Sequence, residues 1–135
     1  MSFLKNKIEL DSPNKNIVPV TLSIDETNKL SIGGCSIEDL VKKYDSPLYI
    51  LDELTLRNSC RAYKKALEKY YPGESLPIYA SKANSSIFMS NLVASEGFGL
   101  DAVSEGELLT AIKGGVPNEK IVFHGNNKSD KEIEF

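Results

Sequence analysis

The chain has 135 residues, of which 41% are hydrophobic and 26% charged, and its formal net charge is −3. This composition is that of one ordinary globular domain, and the charge excludes the basic field expected of a protein that binds nucleic acid or an anionic membrane. The single histidine excludes a multi-histidine metal site within these residues.

The N-terminal residues and the cysteines indicate the compartment. Residues 1–7 lack the apolar core of a signal peptide, and no apolar run in the chain approaches the ~20 residues of a membrane-spanning helix. Cys35 and Cys60 lack C-x-x-C spacing, so we predict two reduced, packed thiols. The sequence therefore predicts a cytoplasmic protein.

The first part of the chain is predicted to be rich in β-structure. Residues 1–18 are polar and are expected to form a loose lead-in. Residues 18–24 are rich in β-branched side chains, and residues 29–32 alternate polar and apolar, so together they predict a β-hairpin.

Two helices and one more strand are predicted before residue 75. Ser36 can cap a short helix that runs through Lys43, with Asp39 three residues later as the reciprocal partner of the serine. Residues 48–51 are apolar and predict a strand. Asp52 then caps a longer helix with apolar residues at steps of three and four.

From residue 76 onward the pattern alternates between strand and helix. The predicted strands cover residues 76–82, 99–103 and 120–124. Helices are predicted at about 85–96, from the capping box at Ser104, and from a second capping box at Ser129. Three consecutive βα units imply a parallel sheet, which must be covered on both faces.

Eight such units would build a TIM-type β/α barrel of ~250 residues. Here the last helix stops at Phe135, soon after its start. We therefore expect these residues to be part of a larger protein. A small open domain with three βα units is the alternative.

Lys82 ends the first of these strands and has only small neighbours, Ser81 and Ala83. Desolvation at such a position would favour the neutral, nucleophilic amine. An amine of this kind can form a Schiff base with an aldehyde such as pyridoxal 5'-phosphate (PLP). The alternative is an ordinary lysine at a strand end whose ammonium group reaches water.

Asp101 and His124 end the next two strands, and in parallel α/β folds the reactive groups gather at this edge. Asp101 could hold the ammonium or the protonated Schiff base of Lys82 by charge, or it could cap a loop or pair with a surface lysine. His124 could face the pocket, or it could be a structural histidine held by hydrogen bonds.

Several other chemistries lack their motifs. The chain contains no P-loop and no G-x-S-x-G nucleophile motif, and Gly97-Phe98-Gly99 does not continue into a dinucleotide fingerprint. A hydrolase would need His124 as a base without any framing motif, so this class is disfavoured.

Four blocks of sequence resemble the N-terminal third of the diaminopimelate decarboxylases, which belong to the group IV family of PLP-dependent decarboxylases. Their order and separations also match that family. The blocks are residues 46–52, 79–84, 99–108 and 121–129. The resemblance covers residues 30 to 135, and the combination is far more specific than any one block.

The resemblance implies a PLP enzyme built from a β/α barrel and a β-domain, working as a homodimer that decarboxylates meso-diaminopimelate to lysine. Residues 1–50 would contribute to the β-domain, and residues 51–135 would begin the barrel. Lys82 would be the catalytic residue that binds PLP covalently, and Asp101 would be a second cofactor-binding residue close to it.

The resemblance also implies what these residues lack. The glycine-rich phosphate loop, the acidic partner of the ring nitrogen, the substrate-binding arginines and a cysteine from the partner subunit all follow later in the family's sequence. We therefore expect the 135-residue chain alone to lack decarboxylase activity, to bind PLP weakly, and to aggregate or stay partly molten.

Three alternatives remain open at this point. The complete protein could act on arginine, ornithine or carboxynorspermidine, since the residues that choose the substrate lie elsewhere. It could be a non-catalytic relative that binds a partner, although such a protein has no need of Lys82. The chain could also be a fragment with no independent folded state.

Overall fold

The computed structural model describes residues 17–135, so the predicted lead-in up to residue 16 lies outside the described part. The chain divides into two compact units, one ending at Asn58 and the other spanning Ser59–Phe135. The predicted division at residue 50 stays a prediction. Between residues 17 and 135, no helix has the length and apolar character needed to cross a bilayer.

A small antiparallel sheet lies in the first unit. Its strands β1, β2 and β3 are adjacent in chain order and cover Ser23–Ile24, Leu30–Ile32 and Cys35–Ser36. The predicted hairpin is confirmed, but β1 is shorter than predicted, because the chain turns where the Leu22 N–H donates to the Pro19 carbonyl. β3 is an additional strand that the sequence pattern did not indicate.

Two helices follow, α1 at Ile37–Tyr44 and α2 at Glu53–Tyr70. Both were predicted, and the Ser36 hydroxyl caps α1 by accepting the Asp39 N–H. The predicted strand at residues 48–51 is wrong, because that segment pairs with no strand in the described part of the chain. An extended segment without a neighbour leaves its side chains in water, and Tyr49 is 99% exposed.

The Asp52 carboxylate joins three segments of the first unit. It accepts the Thr55 N–H at 3.1 Å and the Thr55 hydroxyl, which is the pattern of a helix N-cap for α2. It also accepts the Thr21 hydroxyl at 2.8 Å, and the Thr21 oxygen in turn accepts the Gly33 N–H. The start of α2 is thereby linked to the turn before β1 and to the turn after β2.

Asp52 should make the stability of the protein depend on acid. Burial raises the pKa of Asp52, but the hydrogen bonds from Thr55 and Thr21 outweigh burial and lower it below the ordinary value. A folded pKa below the unfolded one means that the stabilisation is present above the unfolded pKa and is lost as the pH falls through the folded one.

We expect Asp52→Ala to cost about 1–2 kcal/mol of unfolding free energy at neutral pH, because the cap and its links are lost. The cost should shrink as the pH falls below about 4. Urea unfolding of the complete gene product at neutral pH and below pH ~4 measures this cost. Asp52→Asn is the control variant, because it keeps a hydrogen-bond acceptor but has no charge. An Asp52→Ala cost that does not change with pH would contradict the assignment.

The second unit contains a three-stranded parallel sheet in the order β4, β5, β6. These strands cover Ile78–Ala80, Gly99–Ala102 and Ile121–Phe123. The helices α3, α4 and α5 cover Ile87–Ser95, Glu105–Lys113 and Asp130–Glu134, and each follows one of the strands. The predicted α/β class with a parallel sheet is confirmed, whereas its completion to a barrel stays a prediction.

Serine caps begin α3, α4 and α5, and those at Ser104 and Ser129 were predicted. The hydroxyls of Ser86, Ser104 and Ser129 each accept the N–H of the residue three positions later. The capping box at Ser129 is reciprocal. At Ser104 it is not, because the Glu107 carboxylate accepts the Val103 N–H instead, at 2.6 Å.

The core of the second unit lies on one face of the parallel sheet. Leu100 and Ala102 of β5 are buried together with apolar residues of α3 and α4, namely Leu92, Val93 and Ala111. Side chains alternate along a strand, so Asp101 lies on the opposite face, where Ile78 and Val122 are each 42% exposed. Within residues 17–135, the predicted cover is therefore present on one face of this sheet and missing on the other.

Candidate functional site

The ends of the three parallel strands bring the predicted site residues to one edge of the sheet. In the register, Ala80 of β4 lies opposite Asp101 of β5, which in turn lies opposite Val122 of β6. Lys82 follows Ala80 by two residues, and His124 follows Val122 by two. Lys82 and His124 thus flank Asp101 on neighbouring strand ends, as the sequence predicted.

Lys82 lies in a short 3-10 turn, Ser81–Ala83, beside β5. Its side chain is exposed, and it makes no hydrogen bond or ion pair with another residue in the described range. The predicted desolvation of this amine is therefore not found. The physical reason is the uncovered face of the sheet, since nothing among residues 17–135 excludes water there.

The loop that carries Lys82 is held by hydrogen bonds. Before the turn, the Tyr79 hydroxyl donates to the Asn84 carbonyl at 3.4 Å. Burial raises the pKa of Tyr79, which keeps the hydroxyl protonated as a donor. After the turn, the Asn84 side chain accepts the Ser86 N–H at 3.0 Å, and Ser86 caps α3. The amine thus has no contact of its own, while hydrogen bonds hold the backbone on both sides of it.

Asp101 and His124 are in direct contact. His124 Nδ1 lies 2.7 Å from Asp101 Oδ1, with side chains that are 58% and 24% exposed respectively. The ring is not aligned for a hydrogen bond at this separation, so Asp101 Oδ1 is a buried acceptor without a donor in the described residues. The contact is an ion pair when the imidazole is protonated. The alternatives for Asp101, a loop cap or a surface lysine partner, have no support in these contacts.

Two further residues support this edge, and the sequence pattern gave neither of them a role there. Glu107 accepts the N–H of Val103, and the Lys128 ammonium donates to the Val103 carbonyl at 2.7 Å. The same ammonium lies 4.3 Å from the centre of the Phe123 ring. Lys128 thereby ties the loop after β6 to the end of β5. It lies within the fourth sequence block, 121–129, but nothing local identifies a partner 25 positions away.

The chemistry available at this edge follows from two groups. An exposed amine without a partner can attack a carbonyl group, and a nearby carboxylate can balance the positive charge that a Schiff base carries. An acceptor oxygen without a donor is costly to bury, so a ligand that supplies a donor or a cation would be bound favourably.

Residues 54–135 match the family described as pyridoxal-dependent decarboxylase, pyridoxal binding domain. The chain is 46% identical over 131 residues to a diaminopimelate decarboxylase of Synechocystis, covering 91% of this chain and 28% of the relative. It is 45% identical over 107 residues to the diaminopimelate decarboxylase of Bacillus subtilis, covering 78% and 24%. The chain thus spans about a quarter of the length of these curated relatives.

Solved structures of diaminopimelate decarboxylases are also similar to this chain. The crystal structure of diaminopimelate decarboxylase from M. jannaschii is similar at a TM-score of 0.77 and 34% identity, covering 84% of this chain and 27% of that one. The enzyme from Helicobacter pylori, complexed with L-lysine, is similar at a TM-score of 0.66 and 37% identity, with 72% and 24% covered. Both likenesses lie above the level at which only the fold is shared.

Proposed function

Because the chain belongs to the pyridoxal-dependent decarboxylases, matching their pyridoxal-binding domain, we propose that it is the N-terminal portion of a diaminopimelate decarboxylase. The complete protein would take up one proton and convert meso-2,6-diaminopimelate to L-lysine and CO2. The named function of the curated relatives and of the solved structures supports this substrate. The observation that carries the chemistry is the unpaired amine of Lys82 at the sheet edge that also carries Asp101.

The residues at the sheet edge fit the cofactor PLP. Lys82 has an accessible amine that meets no other described group, and Asp101 Oδ1 is a buried acceptor without a donor. An aldehyde cofactor needs such an amine, and the negative charge of the Asp101 carboxylate would balance the positive charge at Nζ when the cofactor is bound. When bound, PLP supplies the aldehyde that condenses with an amine and the ring that accepts the electrons released by loss of CO2.

We assign separate tasks to the two side chains. Lys82 would hold the cofactor through its Nζ, leave when the substrate amine takes its place, and then carry a proton on Nζ to the carbon that lost the carboxylate. Asp101 would balance the positive charge at Nζ and keep the amine oriented. Both tasks are compatible with the exposure of Lys82 among residues 17–135.

Reduction with borohydride tests the proposal. The complete gene product, incubated with PLP and reduced, should carry the cofactor on the peptide that contains Lys82, as measured by mass spectrometry. The unreduced protein should release CO2 from meso-diaminopimelate. An adduct at Lys82 together with release of CO2 from arginine, ornithine or carboxynorspermidine would assign the protein to another decarboxylase of this family. The absence of an adduct would overturn the enzyme proposal and favour a non-catalytic relative.

The assembly and location of the protein are also proposals. We propose a cytoplasmic homodimer in which residues 51–135 begin a β/α barrel and residues 1–50 contribute to a β-domain. The antiparallel sheet β1–β3 in the first unit supports the β-domain, and the free thiol of Cys35 suits a reducing compartment. Cys35 is exposed, however, and not packed as predicted.

A further inference from the structure

The Asp101 carboxylate meets a second ionisable group that the proposed function leaves without a task. This group is His124, whose Nδ1 is 2.7 Å from Asp101 Oδ1. Among the residues described, no other cation pairs with Asp101, and Lys82 makes no ion pair with it. The contact to the carboxylate thus comes from His124, the residue directly after β6, and not from Lys82.

Hydrogen bonds hold the backbone around His124, while more than half of its side chain is exposed. The His124 N–H donates to the Ala102 carbonyl at 3.0 Å, which extends the pairing of β5 with β6 by one residue. The loop that follows is held by Lys128 on the Val103 carbonyl. The imidazole itself is 58% exposed, so rotation about its Cβ–Cγ bond can bring Nδ1–H into line with Asp101 Oδ1.

We propose that His124 is a positioning residue for Asp101. By donating from Nδ1 to the buried Oδ1, it holds the carboxylate in one orientation and leaves the other carboxylate oxygen to face the amine that binds PLP. This inference rests on the proposed function, since it assigns Asp101 to the cofactor. It adds a residue that acts through Asp101 and does not itself touch PLP.

The placement explains why both groups are needed. A carboxylate with one buried oxygen and no donor bears an uncompensated desolvation cost, and it can relieve that cost by turning away from the site. A hydrogen-bond donor on His124, directly after β6, removes that cost, so the carboxylate keeps its orientation. Because β5 and β6 are paired in register, the donor stays at a fixed distance from the strand that carries Asp101.

A double-mutant cycle on PLP affinity tests this mechanism in the complete gene product. His124→Leu should weaken PLP binding about tenfold, the loss expected when a charge-assisted hydrogen bond is removed. In an Asp101→Ala background the same substitution should have almost no further effect, because the residue through which His124 acts is absent. Equilibrium dialysis with PLP gives the affinities, and borohydride capture at Lys82 shows that the binding is at the site.

The matched control is His124→Asn, whose side-chain nitrogen occupies nearly the place of Nδ1. It should recover PLP affinity to within about threefold of the wild type. A purely structural histidine would behave differently: its loss would lower the melting temperature in both backgrounds and would leave the cycle additive. Thermal unfolding of each variant therefore accompanies the binding data.

The outcomes separate the two proposals. An adduct at Lys82 together with additive effects of His124→Leu and Asp101→Ala overturns the role of His124 and leaves the proposed function intact. The same holds if His124→Asn binds PLP as weakly as His124→Leu. If the wild-type protein forms no adduct at Lys82, the proposed function fails and the inference about His124 fails with it.

Discussion

Replacing Lys82 with alanine in the complete gene product will abolish borohydride-trapped PLP and reduce decarboxylation by on the order of 10²–10⁴-fold. The physical reason is that the proposed function gives one amine two tasks, holding the cofactor and returning a proton to the substrate carbon. Lys82 is the exposed, unpaired lysine at the end of β4, and its loop is held in place by Tyr79 and Asn84.

Two controls make the Lys82 result specific. Lys82→Arg keeps the positive charge, but its guanidinium stays protonated and is a poor nucleophile, so it should behave like the alanine variant. Lys131→Ala removes an exposed lysine from α5 and should leave both PLP capture and decarboxylation unchanged. Trapped PLP on another lysine of the Lys82→Ala protein would show that the cofactor is held elsewhere.

Gly114→Ala will destabilise the protein by about 1–3 kcal/mol, the usual cost of an overpacked core. Gly114 follows α4 where this helix packs on α3. A Cβ at Gly114 would lie 2.3 Å from the Cβ of Ser90 and 3.1 Å from the backbone nitrogen of Asn91. Neither neighbour is the flexible end of a side chain, and Ser90 is itself buried, so the two helices must move apart.

The matched control, Gly106, lies within α4 itself. Gly106 has open space around it, with the nearest atom 4.0 Å from an added Cβ. Gly106→Ala should therefore stabilise the protein by about 0.4–1 kcal/mol, because alanine loses less backbone entropy on folding. Chemical unfolding measures both variants. Ser90→Gly should restore part of the loss in a Gly114→Ala background, and a Gly114→Ala protein as stable as the wild type would contradict the close packing of α3 on α4.

Local chemistry in the sequence determined where the helices of this protein begin. A serine hydroxyl reaches the N–H three residues later without help from the rest of the fold, so the caps at Ser36, Ser104 and Ser129 could be predicted from spacing alone. Strand-and-helix alternation predicted the parallel sheet in the same way. The four sequence blocks identified the family and the cofactor class, which the comparison with known decarboxylases confirms.

Tertiary structure decided the features that depend on partners distant in the chain. The apolar run at residues 48–51 has the composition of a strand but finds no neighbour to pair with, and the amine of Lys82 is exposed because one face of the sheet is uncovered. The contact of His124 with Asp101 joins residues 23 positions apart in the sequence. It exists only because β5 and β6 pair in one register, and composition and spacing do not encode a register.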